Sequence, residues 1–143
     1  MSLYSIAWEL ARGGKKPFEV AAEHGIRVML VDFNVIKGIA LSLGENRFIL
    51  IDASLSDDEQ QLVCGHEIGH FFIHPETNFL FILQNTHFYS QHEYQANRFA
   101  CELMIGEKAE EYSQLVSEAA ATGRLDRMLE VIFQLIDEGG GLR

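Results

Sequence analysis

The sequence predicts a single α+β domain in which a small antiparallel sheet of about three strands packs on a helical bundle. Strand-like runs cluster between residues 27 and 52, and helical spacing of apolar residues precedes and follows them. The 143 residues contain no linker or repeat and suit one core. We assign residues 1–138 to this domain and the glycine-rich residues 139–143 to a flexible tail.

Two short helices and three strands are expected in the first third of the chain. Pro17 suits the first turn of the second helix, because proline lacks the N–H that this position leaves unpaired. A turn at Gly44 separates two strand-like runs, which should therefore pair as a hairpin. The expected helices cover residues 3–11 and 18–23, and the expected strands cover residues 27–31, 36–43 and 47–52.

A longer helix should follow at residues 57–73. Ser56 and Glu59 have the spacing of a capping box at its start. At its other end, Pro75 disfavours helical geometry for His74. The second half of this segment is apolar nearly all round, which is typical of a buried helix.

Further helices should pack against this buried one. Gly65 and Gly69 leave a flat strip on it, where a second backbone can approach closely. The apolar spacing predicts helices at residues 90–105, 107–121 and 125–137. Residues 76–89 have no clear pattern, and the apolar run at 79–83 could form a fourth strand or a lid over the core.

The buried helix carries the motif H-E-x-x-H, with His66 and His70 four residues apart and Glu67 beside the first. Residues i and i+4 of an α-helix lie on one face, so two imidazoles at this spacing can bind one zinc ion. The glutamate then lies close enough to take a proton from an attacking water. The motif therefore predicts a zincin-like active-site helix with Zn²⁺ as cofactor and Glu67 as the catalytic base.

A catalytic zinc needs a third protein ligand, and Glu93 on the following helix is the candidate. Asn97 lies one turn further along the same face and could hydrogen-bond a ligand imidazole. Two alternatives stay open at this point. Ser90 and Glu93 also have the spacing of a capping box, which would turn this carboxylate away from a metal. His74, one turn beyond the motif, is a rival third ligand.

His74 and His92 have other candidate roles close to the metal. His74 could support a ligand or contact the substrate. His92 precedes Glu93 near the expected start of the second helix and could donate a hydrogen bond to an oxyanion, or it could have only a surface or packing role.

The composition disfavours several classes of function. The formal net charge is −10, and such an acidic surface repels phosphates, so direct nucleic-acid binding is not expected. We find neither a signal-peptide pattern nor an apolar run long enough to span a membrane. Cys64 and Cys101 suggest no disulfide framework. A cytoplasmic protein is therefore expected.

The H-E-x-x-H motif and the segment that begins at Glu93, which form the two halves of the expected site, together resemble a known family. H-E-x-G-H followed by His74, and then E-x-x-A-N-x-F-A-x-x-L-M starting at Glu93, are similar to the ImmA/IrrE-like metallopeptidases. The likeness covers roughly residues 1–105. It implies that His66, His70 and Glu93 bind zinc, in a gluzincin-like set, and that Glu67 is the general base. It also implies a role in phage or mobile-element regulation, with a helix-turn-helix repressor as the protein partner.

Three functional hypotheses follow. The first is a zinc metallopeptidase that cleaves a protein partner, by resemblance a transcriptional repressor. The second is a non-catalytic module, braced by zinc, that sequesters a regulatory partner. The third is a structural protein without metal, in which Glu93 caps its own helix. The substrate, the cleavage site, the oligomeric state and any trigger of activity are not encoded in a recognisable pattern.

Overall fold

The computed structural model describes residues 3–75 and 86–140, with side chains described at 3–75 and 91–136. The apolar run at 79–83 lies outside this part of the chain. In chain order the elements are α1 (Ser5–Leu10), α2 (Pro17–Glu23), β1 (Ile26–Val31), β2 (Gly38–Leu43), β3 (Asn46–Asp52), α3 (Asp57–Ile73), α4 (Thr86–Ile105), the 3₁₀ helix (Glu107–Tyr112), α5 (Ser113–Thr122) and α6 (Leu125–Gly140).

The three strands form one sheet in the order β1-β3-β2. The α+β class and the hairpin are confirmed, since β2 and β3 pair antiparallel with Leu43 opposite Asn46. The sheet is nevertheless mixed rather than antiparallel throughout, because β1 runs parallel to β3 with Ile26 opposite Arg47. Although β1 and β2 are consecutive in the chain, they are not neighbours in the sheet, because β3 lies between them. The central strand then has the direction of β1, a long-range outcome that strand patterns alone do not specify.

Helix α3 has the expected bounds and the expected cap. The Ser56 backbone N–H donates to the Glu59 carboxylate at 2.9 Å, and the Glu59 N–H donates to the Ser56 hydroxyl at 3.2 Å. These reciprocal bonds satisfy two backbone donors that a helix start otherwise leaves unpaired. The cap thus determines where the helix begins and hence the rotational position of the residues that follow.

Close approach of α4 to α3 brings the two halves of the site together. A Cβ added at Gly65 would lie 3.2 Å from the Cβ of Ala100, and one added at Gly69 would lie 3.1 Å from the Cβ of Phe99. The flat strip expected from the glycine spacing therefore receives the second helix. Buried apolar side chains on both flanks of this contact hold it in place, with the sheet on one side and α5 and α6 on the other.

Two expectations for the last third of the chain are corrected. Residues 107–112 form a 3₁₀ helix rather than the start of a longer α-helix. Gly106, at φ +93°, separates this 3₁₀ helix from the end of α4. Helix α6 continues through Gly139 and Gly140, which the sequence analysis assigned to a tail. Residues 141–143 lie outside the described ranges, and the assignment of residues 1–138 to one domain stays a prediction. Within the described parts, no helix has the length and apolar character needed to cross a membrane.

Candidate metal centre

His66 and His70 present their Nε2 atoms to the same point. The two atoms lie 3.2 Å apart, and the rings meet edge to face with their centroids at 4.8 Å. Both side chains are 15% exposed, so the imidazoles are largely buried while one part of each remains accessible. One helical turn of α3 therefore places two nitrogen donors as the motif spacing predicts.

Glu93 approaches this point from α4. Its Oε1 lies 3.2 Å from Nε2 of His66, and its Oε2 lies 2.8 Å from Nε2 of His70. Because α4 already begins at Thr86, Ser90 lies inside the helix and Glu93 is not in the capping position. The capping-box alternative for Glu93 is wrong, and its carboxylate faces the histidines instead.

The three donor groups fit a zinc ion. Tetrahedral zinc with bonds of about 2.0–2.1 Å holds neighbouring donor atoms about 3.3–3.4 Å apart. The observed separations between the side chains of His66, His70 and Glu93 are 3.2, 3.2 and 2.8 Å, close to that size. Glu67 also comes within 4.8 Å of both histidines, but its Oε2 is 3.9 Å from Nε2 of His66. Glu93 is therefore better placed than Glu67 to be the third ligand of a metal, and Glu67 lies beside the three candidate ligands.

The charges at the site also favour a cation. Burial raises the pKa of Glu67, which is 6% exposed. Burial would also raise the pKa of Glu93, but hydrogen bonds from His66 and His70 outweigh it and hold that pKa well below its usual range. Burial would lower the pKa of His66, yet the carboxylates of Glu67 and Glu93 raise it to about 9. Two nearby carboxylates thus attract positive charge, which a divalent metal can supply in place of a proton.

Asn97 supports His66 from α4. Its Oδ1 lies 2.7 Å from Nδ1 of His66, and its Nδ2 donates to the carbonyl of Ala120 at 3.1 Å. The second bond orients the amide so that its oxygen faces the imidazole and accepts a hydrogen bond. With Nδ1 donating to Asn97, Nε2 of His66 is the ring nitrogen that faces Glu93 and would bind a metal. The structure therefore brings Asn97 to the far side of a candidate ligand, where the sequence analysis expected it.

His74 and His92 lie next to the site but on another side of His70. Nδ1 of His74 is 3.2 Å from Nδ1 of His70, on the side of that ring away from Glu93. The rival placement of His74 as third ligand is therefore not favoured. His92 stacks on His74 with ring centroids 3.8 Å apart. Its suggested role at an oxyanion stays a prediction.

Two residues that contact this region were not among the site residues predicted from the sequence. Gln95 contacts Nε2 of His74 through its Oε1 at 2.8 Å, and nothing in the sequence distinguishes it from other polar residues on α4. Gly38 of β2 lies against Glu67, since a Cβ there would come within 3.2 Å of Oε2 and 2.5 Å of Cγ1 of Val63. A glycine inside a strand pattern does carry a signal, because it often marks close approach of other groups.

Comparisons with known proteins agree with this geometry. Residues 21–138 match the family model described as the IrrE N-terminal-like domain, in the M78 peptidases. A curated protein of Bacillus phage phi105, named uncharacterized immunity region protein 2, is 33% identical over 93 residues. That match spans 62% of this chain and 58% of the phage protein. No solved structure gives a significant match. Because the family model covers most of the chain and both halves of the site, this protein belongs to the M78 peptidase family, with an IrrE N-terminal-like domain.

Proposed function

We propose that this protein is a zinc-dependent peptidase that cleaves a protein partner. Zinc would be held by His66, His70 and Glu93, and Glu67 would act as the general base. The observation that carries the proposal is the convergence of three donor groups, two imidazoles and one carboxylate, within 3.2 Å of one another. A second carboxylate, that of the buried Glu67, lies beside them. Membership of a peptidase family supports the same reading.

Each residue has a distinct part in this chemistry. When bound, zinc would supply a Lewis acid that makes water more acidic and polarises the scissile carbonyl. Glu67 would accept a proton from the attacking water at its carboxylate and deliver it to the departing amine. The burial that raises the pKa of Glu67 brings its proton affinity closer to that of an effective base. Asn97 would keep His66 oriented through its hydrogen bond.

The proposed substrate is a helix-turn-helix transcriptional repressor of a phage or other mobile element, cleaved in the cytoplasm. Two observations support a protein partner of this kind. The phage relative is named as a protein of an immunity region, and a net charge of −10 disfavours direct action on DNA. The relative matches over only part of its length, so the whole-protein activity and its target are inferences for this chain.

The test is to mix the zinc-loaded protein with the helix-turn-helix repressor encoded by the same mobile element and to measure intact masses over time. We expect two repressor fragments with wild-type protein. Glu67→Gln should retain one zinc per chain and lose cleavage by about 10²–10⁴-fold, because the general base is gone. The matched control is Asp58→Asn, an exposed carboxylate on the same helix, which should cleave normally.

Two outcomes would contradict the proposal. Equal cleavage by Glu67→Gln and wild type would remove Glu67 as the base. An uncleaved repressor in a stoichiometric complex with wild-type protein would instead favour the non-catalytic binding module.

A further inference from the structure

His74 stands outside the point at which the three candidate ligands meet, yet it is only 8% exposed. It follows the last residue of α3, where its backbone leaves helical geometry at φ −123° and ψ 50° before Pro75. Its Nδ1 lies 3.2 Å from Nδ1 of His70, and its Nε2 lies 2.8 Å from Oε1 of Gln95. A single imidazole therefore bridges a candidate metal ligand on α3 to an amide on α4.

Gln95 is at one end of this series of hydrogen bonds, and its amide determines which ring nitrogen of His74 carries a hydrogen. The amide oxygen of Gln95 can only accept, so Nε2 of His74 carries a hydrogen. Among the described residues, the hydrogen-bond partners of the two His74 ring nitrogens are Gln95 and His70. Neither is a carboxylate. With its hydrogen on Nε2, His74 directs the lone pair of its Nδ1 toward His70.

The donor to that acceptor is Nδ1 of His70. A metal binds a ring nitrogen that carries no hydrogen, so a His70 that donates from Nδ1 would bind a metal through Nε2. That Nε2 is the atom 2.8 Å from Glu93 and 3.2 Å from Nε2 of His66. The bonds from Gln95 through His74 thus present His70 in the form that binds a metal.

The other histidine ligand has an equivalent support. Asn97 accepts from Nδ1 of His66, and its amide is oriented by the carbonyl of Ala120. An amide of α4 therefore supports each histidine, directly for His66 and through His74 for His70. This parallel argues that the bridge is part of the metal site rather than an incidental contact.

We propose that His74 is a positioning residue that, together with Gln95, holds His70 in the tautomer and orientation of a metal ligand. The inference rests on the proposed function only in requiring metal at His66, His70 and Glu93, and it does not depend on peptide cleavage.

The test is zinc affinity of the full chain, measured by competition with a chromogenic chelator. His74→Leu should bind zinc about 10–100-fold more weakly than wild type, still with one ion per chain at saturation. Gln95→Leu should show a smaller loss. The double variant should be no weaker than His74→Leu, because Gln95 acts through His74. His74→Asn, whose side-chain oxygen can replace the accepting Nδ1, should recover part of the affinity.

A spectroscopic readout separates positioning from a merely structural role. In ¹⁵N spectra of the zinc-loaded protein, His74 should carry its hydrogen on Nε2 and His70 should carry its hydrogen on Nδ1. The matched control is His24→Leu, which removes an exposed imidazole that packs against Phe72 of the same helix. Its zinc affinity should equal that of wild type.

Several results would overturn the inference. They are an unchanged affinity in His74→Leu, additive losses in the double variant, or a hydrogen on Nδ1 of His74. If His74→Leu fails to fold, the wild-type spectra and the affinity of Gln95→Leu still decide. A wild-type protein that binds no zinc would overturn the inference and the proposed function together. Tight zinc binding that is independent of His74 would overturn only the inference.

Discussion

Helix α4 carries two carboxylates with opposite surroundings. Glu102 is 1% exposed, and both of its oxygens have protein donors: Nε1 of Trp8 at 2.7 Å and Nε of Arg98 at 2.9 Å. Glu93, two to three turns earlier, faces two imidazoles and lies near a second carboxylate, Glu67. Among the residues whose side chains the structure describes, Arg98 supplies a permanent cation to Glu102, and no lysine or arginine pairs with Glu93.

The difference distinguishes a structural ion pair from a candidate metal site. A buried carboxylate with a guanidinium partner ties elements together, here α1 to α4 through Trp8. A half-buried carboxylate whose described neighbours are histidines and another carboxylate has donor atoms and negative charge but lacks a fixed cation. Three predictions test this contrast, beginning with the largest expected effect.

The strongest test removes the carboxylate that lacks a fixed cation. Glu93→Ala should weaken zinc binding by more than about 100-fold, beyond the loss expected for a residue that only supports a ligand. Elemental analysis after dialysis without chelator would measure it, with about one zinc per wild-type chain as the reference.

Thermal unfolding provides the control for Glu93→Ala. Zinc at 100 times its dissociation constant should stabilise wild type by about 2.7 kcal/mol, because the metal binds the folded state. The variant should fold and show no such gain. Equal zinc content in Glu93→Ala and wild type would contradict the ligand assignment.

The second test removes the carboxylate with a guanidinium partner. Glu102→Ala leaves Arg98 without its buried partner and should cost about 3–5 kcal/mol of unfolding free energy. Chemical denaturation would measure this, and zinc should still raise its stability as in wild type. A loss of zinc binding with little loss of stability would reverse the roles that we assign to the two carboxylates.

The third and smallest effect concerns Glu67. A methyl group added in Gly38→Ala would meet Cγ1 of Val63 at 2.5 Å and Oε2 of Glu67 at 3.2 Å. We expect a loss of about 1–3 kcal/mol from overpacking. Displacement of Glu67 should lower peptide cleavage more than zinc affinity, since Gly38 lies against the base rather than the ligands.

The matched comparison for Gly38→Ala is Gly44→Ala in the hairpin turn. Its φ of +63° also disfavours alanine, but a Cβ there meets nothing within 4 Å. Both variants should therefore lose stability, whereas only Gly38→Ala should lose cleavage at saturating zinc. An equal loss of cleavage in both would mean that the effect comes from the sheet and not from Glu67.

Local patterns in the sequence predicted the parts of the site that lie within one helix. The capping box at Ser56 and the spacing of His66 and His70 depend on contacts three or four residues apart, which the geometry of an α-helix determines. The glycine strip at Gly65 and Gly69 predicted that another backbone could approach closely, and helix α4 does so. These features are present as expected.

Features that depend on distant residues were predicted less well. The parallel placement of β1 beside β3 arises from strand insertion, and each strand has the same local pattern whichever neighbour it pairs with. The competition between capping and ligation at Glu93 was decided by the start of α4 at Thr86. Sequence spacing allowed both.

The sequence by itself determined the α+β class, the motif helix and the chemical identity of the donor atoms, because helical periodicity and capping act over one turn. Only the tertiary structure decided that Glu93 meets both histidines, that Gln95 reaches His70 through His74, and that Gly38 lies against Glu67. The contacts of Glu93, Gln95 and Gly38 join residues 21 or more positions apart, so they depend on how α3, α4 and β2 pack together. Local preferences do not contain that information.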